Sequence, residues 1–160
     1  MTQRVELATV RDRLAVDDLI TDYAVAVGDG DWTAYRSVFA PDGRADYRSA
    51  GGIEGDAGKV AAWLAERLRE CPVRQHLVVN RRVRFGVLDQ DTGDTAHVHA
   101  DYISPMVPAG DGGPSATARL SGGRYAFALL RTPDGWRLSE VIAEERWHRV
   151  PEPSTAPVIH

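Results

Sequence analysis

Tyr23, Tyr47, His76 and Asp101 are side chains whose types suit proton transfer. His76 follows Pro72 and opens an apolar run, Leu77-Val78-Val79. A neutral imidazole on a cavity wall can take a proton from carbon, or return one to a leaving hydroxyl, near pH 7. A histidine that merely caps a strand start would look the same. Tyr23 falls on the apolar side of a helical run, where a phenol can donate to an oxygen on which charge develops. A core tyrosine whose hydroxyl reaches a polar edge is the competing reading. Tyr47 stands in Asp46-Tyr47-Arg48-Ser49. With an ordinary pKa near 10, a tyrosine is a poor base at neutral pH. Asp101 lies in a strand-like run in which alternation puts His97, His99, Asp101 and Ile103 on one face. Ala96, Val98, Ala100 and Tyr102 share the other. The polar row fits a solvated outer face equally well. Two histidines at i, i+2 without a cysteine or nearby glutamate are a weak metal signal, and no metal is expected.

The elements that must carry these residues follow from hydrophobic period and turn chemistry. Residues 8–27 carry Val10, Leu14, Leu19, Ile20, Tyr23, Ala24 and Val27 at helical spacing. Gly28 and Gly30 interrupt that helix, and Asp31 can cap a second one whose buried side is Trp32, Tyr35, Val38 and Phe39. Pro41-Asp42-Gly43 reads as a turn, Arg44 to Ser49 as a short strand and Ala50 to Gly55 as a loop. Asp56 begins a third helix with Val60, Ala61, Trp63, Leu64 and Leu68 as its apolar residues, and Pro72 ends it. Four β-rich segments follow, His76–Phe85, Thr95–Met106, Ala116–Arg131 and Trp136–Trp147, separated by Gly/Asp/Pro turns. Helices followed by an antiparallel meander are an α+β pattern. One domain is expected over residues 1–150, with a Pro-rich flexible tail over 151–160.

Composition limits the function classes. The chain has 160 residues, with 43% hydrophobic and 26% charged, as a soluble globular domain does. A net charge of −4 argues against a nucleic-acid partner. Cys71 is the single cysteine, so no internal disulfide forms. The first residues lack the apolar core of a signal peptide, and no run is long enough to span a membrane. The expected location is the cytoplasm. Neither Gly-rich segment sits between a strand and a helix in a phosphate-binding pattern, and no nucleophile elbow is present.

Taken in order, Gly30–Trp32 (GDW), Phe39–Gly43 (FAPDG), Gln75–His76 (QH), Gly123–Tyr125 (GRY) and Asp134–Arg137 (DGWR) make the chain resemble the SnoaL-like group of the NTF2-like superfamily over about residues 8–148. Scytalone dehydratase, bile-acid 7α-dehydratase and ketosteroid isomerase are relatives in that superfamily. The resemblance implies three N-terminal helices packed on a strongly curved mixed or antiparallel sheet, forming a cone around one apolar cavity. It implies no cofactor. It makes His76 the catalytic base or acid, Asp101 the carboxylate that orients it, and Tyr23 and Tyr47 hydrogen-bond donors. Val27, Trp32, Trp63, Tyr125 and Arg146 become the expected substrate contacts, although an Arg146 salt bridge to Glu144 or Glu145 is also open. The implied activity is that of a dehydratase-like lyase or isomerase acting on a hydrophobic, oxygenated cyclic substrate. A polyketide-type cyclase and a non-catalytic binding or dimerisation module are the alternatives. A homodimer or higher homo-oligomer is expected. The chain departs from the group at Gly28, where many members carry an aspartate; Asp29 is adjacent, but one residue along a helix turns a side chain by about 100°.

Overall fold

A computed structural model describes residues 2–110 and 118–150, with the side chains of 2–5 excepted. The expected tail at 151–160 lies outside the described residues. Three helices, α1 (Thr2–Asp29), α2 (Trp32–Ser37) and α3 (Ala57–Leu68), pack on a seven-stranded mixed sheet. The strands are β1 (Phe39–Asp46), β2 (Glu54–Asp56), β3 (Val73–Arg74), β4 (Leu77–Phe85), β5 (Thr95–Val107), β6 (Arg119–Thr132) and β7 (Gly135–Arg149). The sheet runs β2-β1-β7-β6-β5-β3, with β4 also on β5. All pairs are antiparallel except β1 with β7. The sheet curls strongly around the helices into a half-barrel, the NTF2-like cone.

Local chemistry sets the helix starts. Asp31 Oδ1 accepts from Ala34 N at 2.9 Å, and Asp56 Oδ1 accepts from Lys59 N at 2.9 Å. Each carboxylate satisfies a backbone donor that the first turn leaves free. The core forms where Val16, Ile20 and Tyr23 of α1, Tyr35 of α2, and Val60 and Leu64 of α3 meet the inner face of the sheet. That face is built by alternation, as in Ala96, Val98, Ala100 and Tyr102 of β5.

Three readings of the first half change. Val38 caps α2 and Phe39 already belongs to β1, so Pro41-Asp42-Gly43 lies inside a strand instead of forming a turn. The β1–β7 register jumps between Phe39↔Leu138 and Arg44↔Glu140, and the Pro-Asp-Gly residues fill that bulge. A Cβ on Gly43 would lie 2.8 Å from the Leu138 carbonyl oxygen, so a bare backbone is needed there. The strand ends at Asp46 instead of Ser49, and β2 occupies part of the expected loop at 50–55.

Candidate functional site

His76 owes its position to a break in an edge strand. β3 and β4 both pair with β5, and Gln75-His76 separates them. Gln75 N donates to the Pro105 carbonyl at 3.0 Å, which holds the break on the sheet. The flanking registers, Arg74↔Met106 and Leu77↔Ile103, set His76 opposite Ser104. Arg74 anchors the preceding residues: its guanidinium donates to the carbonyls of Val27 (3.2 Å), Leu68 (3.2 Å) and Cys71 (2.8 Å). The ends of α1 and α3 are thereby tied to the strand that presents His76. Gly30 makes room for this clamp, since a Cβ there would lie 2.2 Å from the Arg74 guanidinium.

Both ring nitrogens of His76 meet hydroxyls. Nδ1 is 3.2 Å from Ser104 Oγ, and Nε2 is 2.9 Å from Tyr125 Oη. A neutral imidazole has one N–H, so one hydroxyl donates to the ring and the other accepts from it. Either tautomer leaves one hydroxyl proton, on Tyr125 or on Ser104, free for another acceptor. The rings of Tyr102, Tyr125 and Tyr23 surround the imidazole, with centroids at 5.8, 5.6 and 6.3 Å. Burial among them pushes the His76 pKa down to about 4, so the ring is neutral at pH 7.

A second group of hydroxyls lies beside it. Tyr47 Oη is 2.5 Å from Tyr23 Oη and 2.8 Å from Tyr35 Oη. Three hydroxyls joined by two hydrogen bonds leave one proton over. Tyr35 is buried and does not line the cavity, so a hydroxyl proton left on it would have no partner. Tyr35 therefore donates to Tyr47, and the spare proton resides on Tyr47 or on Tyr23, which also faces the Tyr125 hydroxyl; both line the cavity. Burial raises the pKa of all three phenols, so they stay protonated donors at any ordinary pH.

The cavity has a volume of about 560 Å³. Its wall includes Tyr23, Val27, Tyr47, Trp63, His76 and Tyr125, which brings together most of the side chains singled out from the sequence. Three others lie elsewhere. Asp101 is on the outer face, where it accepts from Asn80 Nδ2 at 2.9 Å and Arg124 Nε at 3.0 Å. Those two partners hold its carboxyl below the usual range. Strand alternation explains why it does not orient His76: Asp101 has the parity of His97 and His99, while Tyr102 and Ser104 face inward. Trp32 packs its ring on Tyr35 at 6.0 Å and is not part of the wall. Arg146 is exposed and pairs with Glu144 at 3.6 Å. Asp29 is exposed as well, so it does not replace the aspartate that Gly28 lacks. Ser104 and Tyr35 are the polar members that sequence reasoning missed; carrying the Tyr102 alternation two residues further finds Ser104. Among the described residues, no three His, Cys, Asp or Glu side chains gather to hold a metal ion. Nor, among the described residues, is any helix long and apolar enough to cross a membrane.

Other proteins share this fold and much of this stretch of sequence. The family model of the SnoaL-like domain matches residues 8–142. The chain belongs to the SnoaL-like family. An uncharacterized protein of Mycobacterium tuberculosis is 36% identical over 134 residues, covering 84% of this chain and 85% of that protein. Among solved structures, a candidate aromatic ring hydroxylase of Novosphingobium aromaticivorans superposes with a TM-score of 0.68 at 26% identity, over 88% of this chain and 93% of that one. The type 3 hexachlorocyclohexane dehydrochlorinase of Novosphingobium barchaimii superposes with a TM-score of 0.70 at 15% identity, covering 97% of each chain. At that identity the likeness is one of fold. Among the described residues, the histidine pairs with Ser104 and Tyr125 and with no carboxylate.

Proposed function

We propose that this SnoaL-like protein is a lyase or isomerase that removes a proton from carbon next to a carbonyl, on a hydrophobic oxygenated ring compound. The observation that carries the reading is the spare hydroxyl proton of the Tyr23–Tyr47–Tyr35 chain, in the same cavity as the neutral His76. The carbonyl oxygen would accept from Tyr47 or Tyr23. His76, directly or through Ser104 or Tyr125, would take the α-proton. The C–H bonding pair would move to form the enolate, whose oxygen the phenol stabilises as charge grows on it. In a dehydration the enolate pair would then form the new C=C bond as the β-hydroxyl leaves. The imidazolium would return its proton to that hydroxyl, releasing water. In an isomerisation the same proton would return to a different carbon.

The first half-reaction can be tested without the natural substrate. Deuterium uptake at the α-carbons of 2-tetralone in D₂O, followed by NMR, should run faster with the protein than without it. His76→Ala should bring it back to background. Equal uptake with the variant and the parent would sink the proton-abstraction reading. A second reading has one observation in its favour. Gly28 and the outward Asp101 leave His76 without the carboxylate that would sharpen its basicity, which suits a protein that binds a small molecule without turning it over. Absence of uptake, together with tight binding of the same ketone, would support it. A polyketide-type cyclase would share the first step and be separated by its product.

A further inference from the structure

The inner chamber and the mouth of the cavity differ in chemistry. Inside, the polar groups are phenols, a serine and a neutral imidazole, and none carries a charge at pH 7. The mouth is lined by Arg67, Arg119 and Arg149. They come from three elements: the last turn of α3, the start of β6 and the end of β7. The pairs Met106↔Arg119 and Leu120↔Arg149 bring the two strand ends side by side. Among the described residues, none of these three guanidiniums forms an ion pair with a carboxylate. Two acids, Glu70 and Glu145, also line the mouth, and Glu145 is already engaged by His148 Nδ1 at 3.0 Å. Among the described residues, arginine thus outnumbers acid at this opening, in a chain whose net charge is −4.

We propose that the ligand is an amphipathic organic acid, with a neutral ring body in the inner chamber and one carboxylate at the mouth against Arg67, Arg119 and Arg149. A permanent carboxylate is better held at the mouth than deeper in, where the described groups offer it hydrogen bonds but no cation. Guanidiniums at the rim hold an oxyanion while it keeps contact with water. The volume of about 560 Å³ suits a body of two or three fused rings. This inference rests on the reading of the cavity as a small-molecule site.

The test uses two naphthylamine probes that differ chiefly in charge: 1-anilinonaphthalene-8-sulfonate, an anion, and N-phenyl-1-naphthylamine, which is neutral. At low ionic strength the anion should bind about tenfold more tightly, and added salt should erode the preference. Each of Arg67→Gln, Arg119→Gln and Arg149→Gln should weaken the anion by about two- to fivefold and leave the neutral probe unchanged. All three side chains are exposed, so the variants should keep the parent's circular dichroism spectrum and Tm. Equal binding of the two probes, or a preference untouched by the substitutions, would overturn the acid while leaving the cavity reading standing. Failure of the parent protein to bind either probe would overturn both.

Discussion

Arg131 and His76 both sit where α1 meets the sheet, yet the polar groups around them are satisfied in opposite ways. Asp12 and Tyr23, their contacts on α1, are about 16 Å apart along the helix. Around Arg131 the groups carry full charges, one guanidinium between two carboxylates, and neutral donors complete the carboxylates' hydrogen bonding. Arg131 Nη2 is 2.8 Å from Asp12 Oδ2 and 3.0 Å from Asp94 Oδ2. Trp136 Nε1 and Gln90 Nε2 donate to Asp12 at 3.2 and 3.1 Å, and the Asp89 and Asp91 backbone N–H groups donate to Asp94 at 2.8 and 3.1 Å. The cluster ties α1, the β4–β5 loop, β6 and β7 into one unit and has no group left to offer. Around His76 every polar group is neutral, and the hydrogen-bond count leaves protons over. A fully hydrogen-bonded charge cluster fixes geometry, whereas spare neutral donors beside a neutral base can act on a ligand.

The largest expected effect breaks the first half of that contrast. Arg131→Ala would leave Asp12 and Asp94 enclosed without their cation and should cost about 3 kcal/mol of stability, read from urea unfolding. A loss below about 1 kcal/mol would mean that water already serves these carboxylates, and the cluster would not be the fastener described. His76→Ala breaks the second half: it should lower α-deuterium uptake by about 100-fold or more while the protein stays folded. Tyr35→Phe comes next. It touches no cavity space, but it removes the donor to Tyr47, so Tyr47 becomes free to take a proton from Tyr23 alone. We expect about 1 kcal/mol of lost stability and a smaller fall in uptake than His76→Ala gives. A fall as large as that of His76→Ala would show that the phenol chain, not the imidazole, dominates the chemistry.

How much of this was readable from residues alone depends on whether the cause was local. The caps at Asp31 and Asp56 were, because a cap involves only the next three residues. The inner face of β5 was, because alternation is a property of the strand itself. The partner of His76 was not. It depends on the register between an interrupted edge strand and β5, and nothing in Gln75-His76 announces that break. The family resemblance favoured Asp101, whereas the parity of its own strand left the outer face equally open, and the outer face is where it lies. Pro41-Asp42-Gly43 misled for a related reason: the same residues that make a turn can fill a bulge when a parallel neighbour such as β7 continues past them.

The smallest effect separates the two regions by pH. For His76, burial holds the folded pKa at about 4, below the ordinary value of about 6.5. The unfolded chain therefore binds its proton first, and stability falls as the pH drops from about 6.5 towards 4. For Asp12 and Asp94, burial alone would raise the pKa, but the donors on their oxygens outweigh it and hold both carboxyls below their ordinary range. Their contribution is present above the ordinary carboxylate pKa and fades only as the pH falls through the lowered values. Acid should thus loosen the cavity before it reaches the charge cluster. Thermal unfolding of the parent and of His76→Gln, followed from pH 7 to pH 4, measures the difference directly. The variant should lose less Tm over that interval, since an amide does not titrate. Identical pH profiles would mean that cavity water solvates the imidazolium well, and the neutral character assigned to the site would no longer follow from its burial.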